Sequence, residues 1–271
     1  MNIQEEYNKL MSEVLYQGKK KSDRTGTGTL SVFGRTIRHD MSEGFPLLTT
    51  KKVWFNAALT EILWILQGRT DITYLQDHKV HYWDADYKRS GRTDNTLGPV
   101  YGKQWRDFGG VDQLKNLLAE IKSNPDSRRL IVSAWNPIEM DDMALPPCHY
   151  GFQVYINNGV MDLMWQQRSV DIFLGLPYDI AMYGLLLEFL AKGNGLKAGS
   201  LIGQLGDCHL YSNHIKQASE QLERYMHELP TISVEHGLYL DNDAIFMPVH
   251  NSVSLNNYKS HPSILAPLSV G

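Results

Sequence analysis

The chain has 271 residues, of which 42% are hydrophobic and 21% charged, which is ordinary for a globular protein and enough to bury one sizeable core. A formal net charge of -4 argues against a general nucleic-acid binder, and an anionic ligand would need a local cluster of cations. No apolar run approaches transmembrane length, and the N-terminal residues do not resemble a secretory signal, so we expect no membrane partner and a cytoplasmic location.

Four segments in the first half of the chain predict regular structure. Apolar residues at helical spacing over residues 3–15 predict an amphipathic helix that ends near Gly18. The stretch "TLSVFGRTIRHDM" alternates around a glycine and predicts a strand, a turn and a second strand. Residues 53–68 predict a buried apolar helix closed by Gly68, and residues 111–127 predict an amphipathic helix stopped by Asn-Pro.

The second half begins with three predicted strands. These are "RLIVSAW", "CHYGFQVYI" and "VMDLMWQQRSV", of which the last two are joined by the hairpin signal "NNG". A long helix over residues 172–192, the strand "GSLIGQLGDCHLY" and a helix over residues 212–225 follow, and the end is rich in loops. No repeat or linker divides the chain, which is expected to form a single α+β domain over residues 1–271.

Cys148 is the candidate nucleophile. It follows two prolines and precedes a predicted strand, although a free cysteine is most often a buried small apolar residue and a disulfide is not expected here. Arg128, Arg129 and Arg168 lie in the neighbouring segments. An arginine beside a thiol lowers its pKa and favours thiolate, and arginines also bind phosphate. From these patterns alone, a solvated arginine pair and a structural cysteine stay open.

Polar residues also occur in unexpected surroundings. Glu61 lies in the apolar helix, either in a structural hydrogen-bond network or as a general acid/base with a raised pKa. His209 and Tyr211 would share one face of a strand, where they either hold a sugar hydroxyl or cap the core. Asp179 lies in the apolar stretch "FLGLPYDIAMYG" and needs a partner. No cluster has metal-ligand spacing, so no metal is expected.

Nine segments in order resemble the thymidylate synthase family over nearly the whole chain. They are "DRTGTGTLSVFGR", "FPLLTTKKV", "EILWILQG", "LGPVYGKQWR", "DSRRLIVSAWNP", "MALPPCH", "QQRSVDIFLGLPYDIA", "GDCHLYSNH" and "SHPSILAP". The resemblance implies an α+β enzyme with a mixed sheet, dimerised through that sheet. It also implies transfer of a one-carbon unit from 5,10-methylenetetrahydrofolate to C5 of a pyrimidine deoxynucleotide.

The resemblance implies a role for each candidate residue. Cys148 would add to C6 of the base, Glu61 would run proton transfers through water, and Tyr101 would assist removal of the C5 proton. The groups that would hold the nucleotide are Arg24, Arg168 and Ser169, with Arg128 and Arg129 reaching across from the partner subunit, and His209 and Tyr211 at the 3′-hydroxyl. The folate site would be lined by Lys51, Trp83, Leu145, Asp171, Leu174, Gly175, Tyr178 and Val270.

One departure from the family pattern concerns the substrate. Family members that act on dUMP have asparagine where this chain has Asp179. Cytosine presents a 4-amino donor and an N3 acceptor, so an acid that accepts from the amino group and shares a proton with N3 matches dCMP. The chain then resembles the dCMP-modifying branch of viruses that alter their DNA cytosines, which suggests a bacteriophage origin and a host cytoplasm. Two alternatives stay open: dUMP as substrate, and Asp179 as an ordinary acid at a helix N-terminus.

The expected product depends on how well the site excludes water. The end "HPSILAPLSVG" keeps the apolar C-terminus of methylating members, with Val270 near the end, and Trp83 is kept. A tryptophan expected three residues later is replaced by Asp86, and the loop "YKRSGRTDNT" differs. We expect 5-methyl-dCMP and dihydrofolate as products. A dCMP hydroxymethylase and a thymidylate synthase are the enzymatic alternatives, and a non-catalytic nucleotide- or RNA-binding relative is the alternative of another class.

Overall fold

The computed structural model describes residues 2–269, and a six-stranded mixed sheet runs through it. In spatial order the strands are β1 (Lys19–Lys21), β2 (Thr29–Asp40), β6 (Lys197–Tyr211), β5 (Val160–Asp171), β4 (His149–Asn157) and β3 (Ile131–Ser133). β5 and β6 run parallel, and the other neighbours are antiparallel. Two small ladders pair β7 (Thr231–Val234) with β10 (Val253–Asn256) and β8 (Tyr239–Asp241) with β9 (Ala244–Phe246).

Helices cover one side of this sheet. Within residues 2–269 they are α1 (Ile3–Gln17), α2 (Phe55–Leu66), α3 (Ile72–Asp77), α4 (Asp84–Arg89), α5 (Tyr101–Arg106), α6 (Gln113–Ser123), α7 (Leu176–Gly193) and α8 (Ile215–Leu222). α7 is apolar on most of its surface because it packs against α2 on one side and against β5 and β6 on the other. None of these helices combines the length and apolarity that a bilayer crossing requires. The predicted α+β class is confirmed.

Cross-strand pairing separates the two faces of the sheet. The row that faces the helices is buried and consists of Val132, Phe152, Trp165, Gly203 and Ile37. The next row lies on the opposite face, keeps contact with solvent and consists of Ile131, Gln153, Met164, Ile202 and Arg38. Since side chains alternate along a strand, one face carries the core and the other stays accessible.

All but the last residue of the stretch "TLSVFGRTIRHDM" forms the single strand β2, so the predicted turn at its glycine is wrong. Gly34 has a positive φ of 71°, yet Phe33 pairs with Asp207 and Arg35 pairs with Leu205 of β6 on either side of it. The long partner strand therefore holds both halves in one ladder, and the glycine produces a local distortion only.

The helices follow the predicted order. α2, α6 and α8 start later and end earlier than predicted, whereas α7 starts later and extends to Gly193. α7 begins at Leu176 because the Asp171 side chain accepts hydrogen bonds from the Phe173 and Leu174 N–H groups, at 3.0 Å each, which holds this segment in a turn. The hairpin between β4 and β5 is confirmed, since Asn158 and Gly159 have positive φ values of 50° and 77°. The short helices α3, α4 and α5 were not predicted.

Candidate active site

Two adjoining cavities meet at Cys148. The first, here called the polar cavity, has a volume of about 530 Å³ and is lined by Arg24, Cys148, Arg168, Ser169, His209 and Tyr211, among others. The second, here called the apolar cavity, has a volume of about 390 Å³, and its lining includes Glu61, Trp83, Tyr101, Leu145, Asp171, Leu174, Gly175, Tyr178 and Asp179. Most of the candidate residues thus lie around one continuous space, although they come from segments far apart in the chain.

Cys148 lies directly before β4, and its backbone is held on both sides. Its N–H donates to the Tyr101 hydroxyl at 2.9 Å, and its carbonyl oxygen accepts from the Arg168 N–H at 2.8 Å. The Arg168 guanidinium donates to the carbonyl oxygens of Pro147, at 2.9 Å, and Pro146, at 3.1 Å. The two prolines that precede the cysteine therefore anchor the arginine beside it.

Burial outweighs Arg168 in its effect on the thiol. It raises the pKa of Cys148 to about 11, although the Arg168 charge lowers that pKa as expected. The carboxylates of Asp179, Asp86 and Asp171 raise it further. The Arg168 charge therefore lowers the pKa of the thiol, as the sequence predicts, but does not offset the effect of burial.

Hydroxyl, imidazole and guanidinium groups line the polar cavity. His209 and Tyr211 lie on the same face of β6, as the alternation predicts, with ring centroids 5.3 Å apart. Nδ1 of His209 lies 3.1 Å from the Asp207 carbonyl oxygen, which can only accept a hydrogen bond. Nδ1 therefore carries the proton in the neutral ring, and Nε2 is left as an acceptor for a hydroxyl group.

Glu61 takes part in a hydrogen-bond network and also has a raised pKa, the two features that its sequence position suggested. It is 8% exposed, and each of its oxygens accepts one hydrogen bond, from the Tyr82 hydroxyl at 2.7 Å and from Trp83 Nε1 at 2.8 Å. Burial raises the pKa of Glu61, while these two hydrogen bonds lower it. The carboxyl is thus held by a network and also faces the apolar cavity, so it can exchange protons there.

Asp179 has a partner within the protein. It lies in the first turn of α7, and its Oδ2 accepts a hydrogen bond from Gln167 Nε2 at 2.8 Å. Burial raises the pKa of Asp179 to about 7, with the Gln167 hydrogen bond lowering it and the Glu61 and Asp171 charges raising it. The helix N-terminus, which favours a negative charge, does not overcome this burial.

Three predicted residues line neither cavity, and a fourth lies outside the described part of the chain. Arg128 and Arg129 are exposed in the segment before β3 and line neither cavity. Lys51 is 5% exposed, donates to the Phe173 carbonyl oxygen and lies 3.6 Å from the centroid of the Phe173 ring. It also lines neither cavity, contrary to its expected place at the folate site, and burial lowers its pKa to about 7. Val270 lies outside the described residues.

Several residues that line the cavities were not predicted as site residues from the sequence. Gln167 is buried beneath Asp179, and the strand alternation that puts it on the same face as Trp165 was the available signal. His149 stacks on Tyr101 with ring centroids 4.2 Å apart, and burial lowers the pKa of His149 to about 3, so this ring is neutral. Asp86, noted only as a departure from the family pattern, lines both cavities and accepts a hydrogen bond from Arg89 at 2.6 Å.

The groups that line the two cavities can be compared with the family that the chain matches. Within residues 2–269, no group of three or more His, Cys, Asp or Glu side chains is placed to hold a metal ion. The lining instead offers a thiol, cationic and hydroxyl groups on one side, and an apolar wall with buried carboxyls on the other. A family model described as thymidylate synthase matches residues 5–270 of the chain.

Proposed function

The chain belongs to the thymidylate synthase family, whose reaction is the folate-dependent methylation of a nucleotide at C5. From that premise we propose that it acts on dCMP and forms 5-methyl-dCMP and dihydrofolate. The one-carbon donor of the family is 5,10-methylenetetrahydrofolate.

Asp179 carries this proposal, because its carboxyl lines the same cavity as Cys148. With a pKa of about 7, the group is available near neutral pH both as an acid and as a carboxylate. A proton between Asp179 and N3 of cytosine satisfies both groups, and the second oxygen accepts from the 4-amino group. Uracil carries a proton at N3 and an acceptor at O4, so a carboxylate would leave buried polar groups mismatched, which discriminates strongly.

The proposed chemistry starts with addition of the Cys148 sulfur to C6 of the base. Because burial raises the pKa of this thiol to about 11, it must lose its proton as the bond to C6 forms. The electron pair of the C5–C6 double bond moves towards C4 and N3, where the proton shared with Asp179 neutralises the developing charge. C5 then becomes nucleophilic. Arg168, whose charge lowers the pKa of this thiol, would hold the 5′-phosphate together with Arg24.

Two further groups are assigned to proton transfer and one pair to the sugar. Tyr101, whose hydroxyl accepts from the Cys148 N–H and which lines the apolar cavity, would assist removal of the C5 proton. Glu61 would pass protons to and from the base through water. His209 and Tyr211, with the Nε2 acceptor of His209 directed away from its own strand's carbonyl, would bind the 3′-hydroxyl, and Ser169 would add a hydroxyl donor at the phosphate.

The apolar cavity would hold the folate. Trp83, Leu174 and Tyr178 form an apolar wall suited to a flat ring, and Asp171 adds a carboxylate that suits ring N–H donors. When bound, the folate supplies the one-carbon unit and, for a methyl product, the hydride. The residues of this chain would orient the ring and shield it from water. Ala266 and Leu268 of the C-terminal segment line the same cavity and support the dry site that a methyl product requires.

Asp86 favours a second candidate, a dCMP hydroxymethylase. Its carboxylate lines both cavities where the family pattern has a tryptophan, and a charged group there can hold water near the base. In that reaction water, and not hydride, completes the new group on C5, and tetrahydrofolate is released. The apolar segment at residues 266–268 is the reason for ranking methyl transfer first.

One spectrophotometric assay separates these products and substrates. Purified protein is given 5,10-methylenetetrahydrofolate with dCMP or dUMP, and formation of dihydrofolate is followed by its absorbance while the nucleotide product is identified by mass spectrometry. We expect dihydrofolate and 5-methyl-dCMP. Asp179→Asn should shift the preference towards dUMP, whereas Asp126→Asn, an exposed control, should not. An unchanged substrate ratio in Asp179→Asn, or a wild-type preference for dUMP, would contradict the dCMP assignment.

A second copy of the chain is the proposed partner. The accessible face of the sheet carries apolar side chains that include Ile131, 50% exposed, and Tyr155, 62% exposed. Arg128 and Arg129 precede β3 at the edge of this sheet, where they can reach a neighbour. We expect a dimer by light scattering. Mixing Cys148→Ser subunits with subunits that lack both arginines should restore activity, because each mixed dimer then contains one complete site; a monomeric protein would contradict this arrangement.

A further inference from the structure

The two oxygens of Glu61 are held by two consecutive residues of the chain. The Tyr82 hydroxyl donates to Oε2 at 2.7 Å, and Nε1 of Trp83 donates to Oε1 at 2.8 Å. Both donors lie directly before α4, whereas Glu61 lies in the second turn of α2. One short segment therefore fixes the carboxyl of another helix at both of its oxygens.

The two donors have different freedom. The Trp83 ring packs against Trp64 and Tyr101, with centroids 6.3 Å and 6.1 Å apart, so the direction of its N–H is fixed. A hydroxyl proton turns about the C–O bond towards its best acceptor. Among residues 2–269, the Tyr82 hydroxyl makes its hydrogen bond with Glu61 alone. Burial and the Glu61 charge raise the pKa of Tyr82 well above its usual value, so the hydroxyl keeps the proton that it donates.

These hydrogen bonds oppose the effect of burial on Glu61. Burial raises the pKa of this carboxyl, and the hydrogen bonds from Tyr82 and Trp83 lower it. A donor stabilises the ionised form more than the neutral form, because a carboxylate oxygen is the stronger acceptor. Without the Tyr82 hydroxyl, Glu61 would therefore keep its proton to a higher pH and could not accept another one.

The surroundings of Glu61 do not supply a positive charge that would replace the hydroxyl. In the part of the chain that the structure describes, Glu61 is held by two neutral donors and not by a cation. On α7, which packs against α2, Asp179 and Tyr183 feel the Glu61 charge, which raises the pKa of each of them. The ionised form of Glu61 thus depends on its two hydrogen bonds.

We propose that Tyr82 is a positioning residue that directs Oε2 of Glu61 and keeps this side chain in its carboxylate form, ready to accept a proton during the reaction. Tyr82 lines both cavities, so its hydroxyl is held where the two spaces join. This role rests on the proposed proton transfers of Glu61 and is the same whether dCMP or dUMP is the substrate.

Tyr82→Phe removes the hydroxyl and keeps the ring that packs against Tyr178. The measurement is kcat of the variant divided by kcat of the wild type, between about pH 6 and pH 9, so that groups common to both proteins cancel. We expect this ratio to fall by up to about 10-fold towards acidic pH, the effect of one lost hydrogen bond to a charged group, and to approach one at alkaline pH. KM for the folate should stay within a few-fold. Tyr16→Phe, at a position 75% exposed, is the matched control with a flat ratio.

Glu61→Gln shows whether Tyr82 acts through Glu61. Its kcat should be reduced at every pH, with no recovery at alkaline pH, because the titrating group is gone. Adding Tyr82→Phe to Glu61→Gln should cause little further loss, since two residues that act as one unit are not additive.

Infrared difference spectroscopy gives a readout that needs no turnover. A carboxyl band that titrates in the wild type and is missing in Glu61→Gln belongs to Glu61, and in Tyr82→Phe it should titrate at higher pH. Replacing Tyr82 by 3-fluorotyrosine, whose hydroxyl is a stronger donor, should move the titration to lower pH. This second replacement decides if Tyr82→Phe fails to fold.

The possible outcomes separate Tyr82 from the proposed function. A flat kcat ratio with an unshifted Glu61 band, or a loss confined to KM for the folate, would overturn the role of Tyr82 and leave that of Glu61 intact. Wild-type kcat in Glu61→Gln would overturn the proton-transfer role of Glu61 itself, whatever Tyr82 does to its titration.

Discussion

Replacing Asp179 by asparagine should change how the stability of the protein depends on pH. The amide oxygen can accept the same Gln167 hydrogen bond, so the substitution removes the titrating proton and keeps the contact. Burial raises the pKa of Asp179 from 3.8 to about 7, so the folded state binds this proton more tightly than the unfolded state does. Binding of this proton therefore adds to the free energy of unfolding. The contribution is fully present below about pH 4 and is lost as the pH rises to about 7.

The size of the effect follows from the pKa difference. Between pH 5 and pH 8 the contribution of Asp179 to the free energy of unfolding falls by about 2.7 kcal/mol, an upper figure because the carboxyl keeps an edge towards the cavity. At roughly 2–4 °C per kcal/mol for a chain of this size, Tm of the variant minus Tm of the wild type should increase by about 5–10 °C over this range.

Differential scanning fluorimetry in matched buffers measures this difference directly. Other titrating groups are common to both proteins and cancel, and Asp126→Asn, an exposed change, serves as the control with a flat difference. A difference for Asp179→Asn that is equally flat between pH 5 and pH 8 would show that the carboxyl is solvated as in the unfolded chain. The reasoning that makes it a proton donor near neutral pH would then be refuted.

The remaining predictions concern the thiol and the buried glutamate. With a pKa of about 11, Cys148 should be alkylated by iodoacetamide at a rate that still rises with pH at pH 9, and a plateau near pH 7 would contradict this pKa. Arg168→Gln should slow the reaction, because removing the Arg168 charge raises the pKa of the thiol further, and an unchanged rate would contradict that effect. In Glu61→Gln the amide oxygen should keep the hydrogen bond from Trp83, because the indole N–H can only donate. The NH₂ group of the new side chain should then face the Tyr82 hydroxyl. Steady-state kinetics should then show kcat reduced by about 100-fold with KM within a few-fold, whereas a loss confined to KM would argue for a binding role.

The elements that sequence patterns predicted well are those decided by local forces. The NNG hairpin needs only residues that tolerate positive φ. The helix α7 is predicted by the long apolar run in its sequence. The turn expected at Gly34 failed because its outcome is decided by pairing with β6, about 170 residues away, which continues past the glycine on both sides. Local propensity carries no information about such a partner.

The same division applies to the site. Cys148, Glu61 and Asp179 stand out in the sequence because a reactive or charged group lies among apolar residues or next to prolines. Gln167 does not, since a glutamine in an alternating strand is unremarkable until Trp165 is found beside it and Asp179 above it. The raised pKa of Cys148 could not be predicted from the sequence either. It results from burial by several elements, which outweighs the effect of the single neighbouring arginine.

The cavities join residues from both ends of the chain, from Arg24 before β2 to Leu268 near the C-terminus, with Cys148 midway between them. Since contacts between segments far apart in the chain form slowly, we expect this site to assemble late in folding. During refolding from denaturant, helical circular dichroism should therefore recover before nucleotide binding does, and the return of binding should report the last step of assembly.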